Sequence, residues 1–263
     1  MADAHAIPLL AVKGVVTGRT LYRDAAERIV TDVDVRVRPR DLKAYAAAGR
    51  EAGWKHLNYS RAYRNVIFEI DDWMLDVETS IGPPGLCALG IDEIIARATV
   101  ETTLFGFACR VPEVHDHALL LCVNVFKDKL AHAEARALRD VELVARSPEF
   151  RPKVMVERAE RAQLRTMVWI VADWMDRTRG VRSWGVVRDG IGARCPRPAY
   201  AALFQRMMAG DQKALGLRVL ARLAHDGWRG KLESVGRMGW WVMERRAVHR
   251  AATAKNSSAT TAP

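Results

Sequence analysis

Asp32-Val33-Asp34 lies in a run, residues 30–37, that alternates polar and apolar side chains. On a strand such alternation sends Asp32, Asp34 and Arg36 to one face and Val33, Val35 and Val37 to the other. The two carboxylates then stand roughly 7 Å apart at Cα, an unfavourable pairing unless a cation lies between them. A hard divalent ion with oxygen ligands answers that need, and Mg²⁺ suits it best because it also takes nucleotide phosphates. A second acidic pair, Asp76 and Glu78, alternates with Leu75 and Val77. If that segment pairs beside 30–37, a third carboxylate joins Asp32 and Asp34. Three carboxylates on one sheet face can hold two Mg²⁺ and activate a hydroxyl for in-line attack on an α-phosphate. The competing reading is a solvated sheet face, with Glu69, Asp71 and Asp72 continuing the polar pattern.

Other constellations are less specific. His115-Asp116-His117 has no third ligand nearby and reads as surface or capping residues. Cys87, Cys109 and Cys122 sit in apolar surroundings and are expected to be core thiols, and no CxxC pair exists. Lys127, Lys129 and Arg139 are placed to reach phosphates across a cleft but equally to be solvated. Trp184, Trp228, Trp240 and Trp241 are interleaved with arginines, a pattern that suits base stacking or plain core packing. No Walker, GxGxxG or GxSxG motif occurs, which disfavours kinase, dehydrogenase and hydrolase readings.

The elements that must position the acids follow from periodicity and punctuation. Residues 9–16 read as a buried strand ending at Gly14 or as a helix start. Pro39 ends the 30–37 strand, Asp41 is placed to cap a helix to about Ala52, and Gly53 closes it. Asn65–Ile70 and Trp73–Ile81 form a hairpin around Asp71-Asp72. Gly82-Pro-Pro-Gly85 breaks the chain, and helical periodicity then dominates: 91–98, 117–132, 133–146, 154–176, 203–208 and 212–225. Thr102–Val111 suits a short strand. Residues 180–200, rich in Gly, Arg and Pro, are expected to be a long loop, and the tail from about Ala251 to be disordered. A helix near 239–250 has an amphipathic cast.

The 263 residues suffice for one large domain or two small ones, with 49% hydrophobic residues to build a core. No apolar run approaches a membrane span and the start lacks the basic flank and apolar run of a signal peptide, so a soluble cytoplasmic protein is expected. The net charge of +10 is uneven: residues 1–150 carry 19 Lys/Arg against 22 Asp/Glu, and residues 151–263 carry 22 against 9. The basic half would attract a polyanion, with the arginines of 177–197 as its contact.

Leu10-Ala-Val-Lys13-Gly14, Thr31 to Leu42, Ala52-Gly53-Trp54, Leu75-Asp76-Val-Glu78, and the downstream segments 116–129 and 137–146 together resemble the uncharacterised nucleotidyltransferase family. This family belongs to the DNA polymerase beta-like superfamily. The resemblance implies an α+β fold: a small mixed β-sheet core with flanking helices over 1–85, then a helical part over 86–250. It implies that Asp32 and Asp34 bind Mg²⁺ and the triphosphate, that Asp76 is the third carboxylate, and that Lys13, Gly14 and Thr17 hold phosphates. Departures are the missing Gly-Ser turn, for which Thr17 or Thr20 would substitute, and Glu78 where relatives often have His. The implied activity is transfer of an NMP, expected to be AMP from ATP, onto a hydroxyl of a small molecule, a protein, or RNA such as tRNA. A toxin-like role is compatible with this. The alternative is a non-catalytic nucleotide- or RNA-binding module.

Overall fold

The computed structural model describes residues 6–103, 106, 108–126, 133–209 and 214–259. Its centre is a seven-stranded mixed sheet in the order β3-β4-β5-β2-β1-β7-β6. The strands are β1 (Leu10–Val12), β2 (Asp32–Arg36), β3 (Lys55–Ser60), β4 (Asn65–Ile70), β5 (Trp73–Glu78), β6 (Thr99–Glu101) and β7 (Cys109–Val111). β2 runs parallel to β5 with Asp34 opposite Asp76 and Arg36 opposite Glu78, and antiparallel to β1 with Val12 opposite Asp34. Because both parallel strands alternate in phase, one face collects the valines and the other the acids.

The valine face packs on α2 (Leu42–Glu51), where Val35, Val37, Val66, Phe68 and Val77 meet Leu42, Tyr45 and Ala46. The acidic face turns toward the larger core, which joins Leu10 and Val12 to α3 (Ile91–Arg97), α4 (Val114–Val125) and α5 (Ala133–Val144). Behind these lie α6 (Pro152–Arg161), α7 (Arg165–Arg179), α8 (Arg182–Ile191), α9 (Arg197–Ala209) and α10 (Ala214–Leu223). α11 (Trp228–Ala259) follows, so helix extends into the stretch from Ala251 that was expected to be disordered. β6 and β7 complete the sheet from beyond residue 85, because β7 pairs in parallel with β1.

Several local expectations are met. Residues 9–16 split between the two alternatives, giving β1 and then α1 (Gly14–Thr20). The hairpin closes at Asp71-Asp72, where Asp71 takes φ 52°, a left-handed conformation that aspartate tolerates. Asp41 does precede α2, but its side chain makes no capping hydrogen bond.

Other expectations need correction. Residues 180–200 are not a loop: Gly180, at φ 65°, caps α7, and α8 follows at once. The glycines and arginines mask an apolar stripe, Trp184, Val187 and Ile191, spaced for one helical face and all buried. Gly185 is required there, since a Cβ would lie 2.7 Å from the Asp176 carboxylate on α7. Residues 154–176 are two helices rather than one, separated at Ala162–Leu164, with Gln163 at φ 55°. β3 went unforeseen because its residues are mostly exposed and polar. An edge strand needs only backbone pairing with β4.

The His115-Asp116-His117 cluster is buried, not superficial. Asp116 accepts from Arg97 at 2.8 Å and Arg158 at 2.6 Å, tying α4 to α3 and α6. His115 pairs with Glu113, and its Nε2 accepts the Arg151 N–H at 2.8 Å. His117 Nε2 meets Thr17 Oγ1 at 3.2 Å. Burial holds its pKa down to about 4, so it is neutral in the folded protein. The unfolded chain takes up that proton near pH 6.5. Folding should therefore lose stability as pH drops from about 6.5 to about 4, by about 3 kcal/mol in all. Urea unfolding at pH 7 and pH 4.5 should show a larger acid loss in the wild type than in His117→Gln. Equal losses would show that the imidazole is not the source.

Candidate active site

β1 ends at Val12, and the backbone of the next residue, Lys13, turns at φ 56° to start α1. This sharp reversal aims the ammonium back at β2, where Lys13 Nζ donates to Asp34 Oδ1. On β5 the in-phase neighbours of Asp34 are Asp76 and Glu78, and oxygens of these three carboxylates lie within 4.8 Å of one another. Asp34 is buried; Asp76 and Glu78 are half-buried. Arg36, fully buried, binds Glu78 Oε2 at 2.6 Å. Among the described residues Asp76 has no such cation: Asn65 Nδ2 donates to its Oδ1 at 3.2 Å. Desolvation, reinforced by Glu78, pushes its carboxyl up to about 6, against the pull of Lys13. The Lys13 ammonium is held above its ordinary value: Asp34 and Glu78 outweigh burial, which acts in the opposite direction.

These groups open into a cleft of about 280 Å³ lined by Lys13, Asp32, Asp76 and Glu78 on one side. Asp32 thus shares the cleft but stands outside the tight three-carboxylate group. Glu78 lies in that group in place of Asp32, beside Asp76. Thr17 does not reach the cleft. It is fully buried, and its hydroxyl gives its only proton to Lys13 O at 2.6 Å while meeting His117. Thr20 is exposed, and its hydroxyl donates to Val16 O on its own helix. Gly14 is the first residue of α1, directly after Lys13.

The opposite wall was not foreseen. Arg222 of α10 and Met238, Trp241 and Val242 of α11 line the cleft together with Tyr63 from the β3–β4 turn. Trp241 stacks on Tyr63 with ring centroids 5.4 Å apart, and Arg222 reaches the Tyr63 hydroxyl at 3.4 Å. Glu244 accepts from Ser60 Oγ at 2.7 Å and from the Arg61 N–H at 2.9 Å. The helical C-terminal part therefore folds over the acidic face. Only the tryptophan–arginine interleaving hinted at this wall. Of the other tryptophans, Trp184 is core, donating to Val141 O, while Trp228 and Trp240 are exposed. Lys127 and Lys129 lie outside the described residues, and Arg139 pairs with Glu142 on its own helix. Among the thiols, Cys109 and Cys122 are buried and Cys87 is half-buried.

Three convergent carboxylates with hard oxygen donors, an adjacent ammonium and a strand-to-helix turn form a donor set suited to a divalent ion and phosphate. The chain belongs to the uncharacterised nucleotidyltransferase family, whose model matches residues 2–179, and is a nucleotidyltransferase. Two solved structures are also similar. One is ANT(2")-Ia in complex with adenylyl-2"-tobramycin, at 18% identity and TM-score 0.42, covering 61% of this chain and 90% of that one. The other is a solution structure of the antibiotic-resistance factor ANT(2'')-Ia, at 18% identity and TM-score 0.36, covering 80% and 92%. No curated protein matches the chain. Among the described residues no helix is long and apolar enough to cross a membrane.

Proposed function

We propose that this chain transfers an NMP, AMP from ATP, to an acceptor hydroxyl with release of pyrophosphate, in the cytoplasm and with Mg²⁺ as cofactor. The observation that carries this reading is the meeting of Asp34, Asp76 and Glu78 oxygens within 4.8 Å at the cleft. The donor set fits Mg²⁺: all its ligands are carboxylate oxygens, and their three charges exceed the two supplied by Lys13 and Arg36. Asp34, Asp76 and Glu78 would hold the metal, with Asp32 on the triphosphate side of the cleft. When bound, the ion would neutralise the charge developing on the transferring phosphate.

The chain's own residues do the rest. Lys13 and the Gly14 backbone face the triphosphate, the ammonium moving from Asp34 to phosphate oxygen as nucleotide and metal enter. Asn65 engages Asp76 Oδ1, so Oδ2 is the oxygen that takes the acceptor's proton. Arg36 holds Glu78 in place. The Tyr63–Trp241 stack and Arg222 close the cleft over the acceptor and exclude water. RNA such as tRNA is the acceptor the charge favours, and a toxin-like role would follow from its modification.

A second reading is a nucleotide- or RNA-binding module without turnover. The Lys13–Asp34 and Arg36–Glu78 pairs favour it, because each sets a protein cation where a metal would bind. Thermal shift with each NTP, with and without Mg²⁺, separates the two when combined with transfer of label from α-labelled NTP. The enzyme should show a Mg²⁺-dependent rise in Tm, largest with ATP and lost in Asp34→Asn, together with labelled acceptor. A rise without transfer to any RNA, protein or alcohol acceptor would leave the binding module, and no rise with any nucleotide would sink both.

A further inference from the structure

On the far side of the β3–β4 turn from the cleft, α2 and the sheet edge enclose an open groove of about 870 Å³. Arg40, Lys43, Arg50, Arg61 and Arg64 line it, with Tyr59 among them. All five cations are exposed, and the described lining holds no Asp or Glu. Arg40 lies 3.8 Å from Asp92, which Arg38 already holds at 2.9 Å. Among the described residues, the side chains of Lys43, Arg50, Arg61 and Arg64 have no ion pair. Of the acids around it, Glu244 is engaged with Ser60 and the Arg61 backbone, and Asp41 and Glu51 flank the lining residues of α2 without lining the groove themselves. Like charges gathered around a concavity without counter-charge create a positive potential that an anion relieves.

The groove is built from the half of the chain that is net acidic. In the basic half, three of the six arginines of 177–197 are engaged, while Arg179, Arg182 and Arg194 are exposed. Arg177 binds Asp173 at 2.9 Å, and Arg188 binds Asp176 at 2.6 Å. Arg197 is buried, donating to Ile191 O and Gly192 O. What favours the groove is that its cations gather around one concavity.

We propose that this groove seats the phosphate backbone of a single-stranded RNA acceptor and delivers its terminal hydroxyl across the 60–65 turn to Asp76. This deepens, and rests on, the nucleotidyl-transfer reading. Four arginines favour phosphate, whose oxygens match the guanidinium fork. Tyr59, half-buried against the sheet core, offers a ring edge or face to a base. Continuity with the cleft is direct along the chain. Arg61 and Arg64 line the groove, Tyr63 lines the cleft, and the next residue, Asn65, holds Asp76. The turn is fixed from both sides: Glu244 binds its start, and Thr79 Oγ1 donates to Arg64 O at 3.1 Å. A strand crossing it meets a rigid rim rather than a mobile loop.

The test is anisotropy of a labelled 12-nucleotide RNA against KCl, for wild type and the double variant Lys43→Glu/Arg50→Glu. Both residues are exposed on α2 and neither lines the cleft, so the fold and the Mg²⁺–NTP thermal shift should survive. The wild-type slope of log affinity against log salt should be roughly −3, as four to five phosphate contacts on a single strand give. The variant should bind at least tenfold more weakly and its slope should fall by at least about 1. Wild-type failure to bind RNA, or unchanged affinity in the variant, overturns the proposal. So does equal binding of a DNA duplex, or equally effective competition by poly-glutamate, which would mark a cation surface without nucleic-acid preference. Loss of the NTP shift in wild type would instead condemn the nucleotidyl-transfer reading, so the two failures are distinguishable.

Discussion

Asp76→Asn should lower nucleotidyl transfer roughly a thousandfold, the ~4 kcal/mol expected when a metal-holding, proton-accepting group is lost, while the folded protein becomes more heat-stable. The two effects have one cause. Asp76 is a half-buried carboxyl with no cation of its own among the described residues, and its pKa is raised to about 6. A carboxyl whose folded pKa exceeds its unfolded value near 3.9 costs stability above about pH 6. That cost fades as pH falls through the window between the two values. The amide keeps the shape and removes the charge, so Tm at pH 7.5 should rise by a few degrees and the gain should vanish by pH 4. Glu78→Gln should do the opposite to stability. Its partner Arg36 is fully buried and would be left with an uncompensated charge. Breaking such a pair costs about 3–5 kcal/mol, a Tm drop of about 10 °C in a protein of this size. Calorimetry of the two variants beside a transfer assay decides the matter. If Asp76→Asn melts lower than wild type at pH 7.5, or transfers normally, the assignment of Asp76 fails.

The contrast shows how far the sequence carries the site. Two phase-matched alternations, Asp32-Val-Asp34 and Asp76-Val-Glu78, place their acids on one face once the strands pair, and period-2 geometry makes that legible. The ion pairs inside the cluster were not, because Lys13 and Arg36 reach Asp34 and Glu78 only through register and through the left-handed turn at Lys13. Thr17 had the right chemistry and the wrong direction. One turn along α1 it faces His117, a partner a hundred residues away that no local pattern reveals. Helices with continuous apolar content, such as α4 and α7, were visible. α8 was concealed because its glycines, read as loop formers, serve close approach to neighbouring helices, Gly185 to α7 and Gly190 to α6. The α10–α11 wall depends on long-range docking by Tyr63, Arg222 and Trp241, and single aromatics spaced through a basic segment do not declare which of them will stack.

Lys13→Met separates the two possible uses of the cluster. The ammonium and a divalent ion both need Asp34, so in the nucleotide-free protein they compete for it. Removing the ammonium should tighten metal binding, measured calorimetrically with Mn²⁺ in place of Mg²⁺, by about tenfold or more. That is only ~1.4 kcal/mol of the attraction between two adjacent charges in a partly desolvated site. Without metal the same variant should be less stable than wild type, since buried Asp34 loses its partner, and metal should restore it. For nucleotide the sign reverses. If Lys13 passes from Asp34 to phosphate, its loss removes a charge-assisted contact in both the bound and transition states. Then kcat/KM for ATP should fall by about a hundredfold, with KM rising. A protein whose lysine permanently replaces the metal predicts otherwise: Lys13→Met would gain metal affinity and leave nucleotide binding untouched. Looser metal binding in the variant would contradict both, because it would mean that the ammonium supports the ion rather than standing in its place.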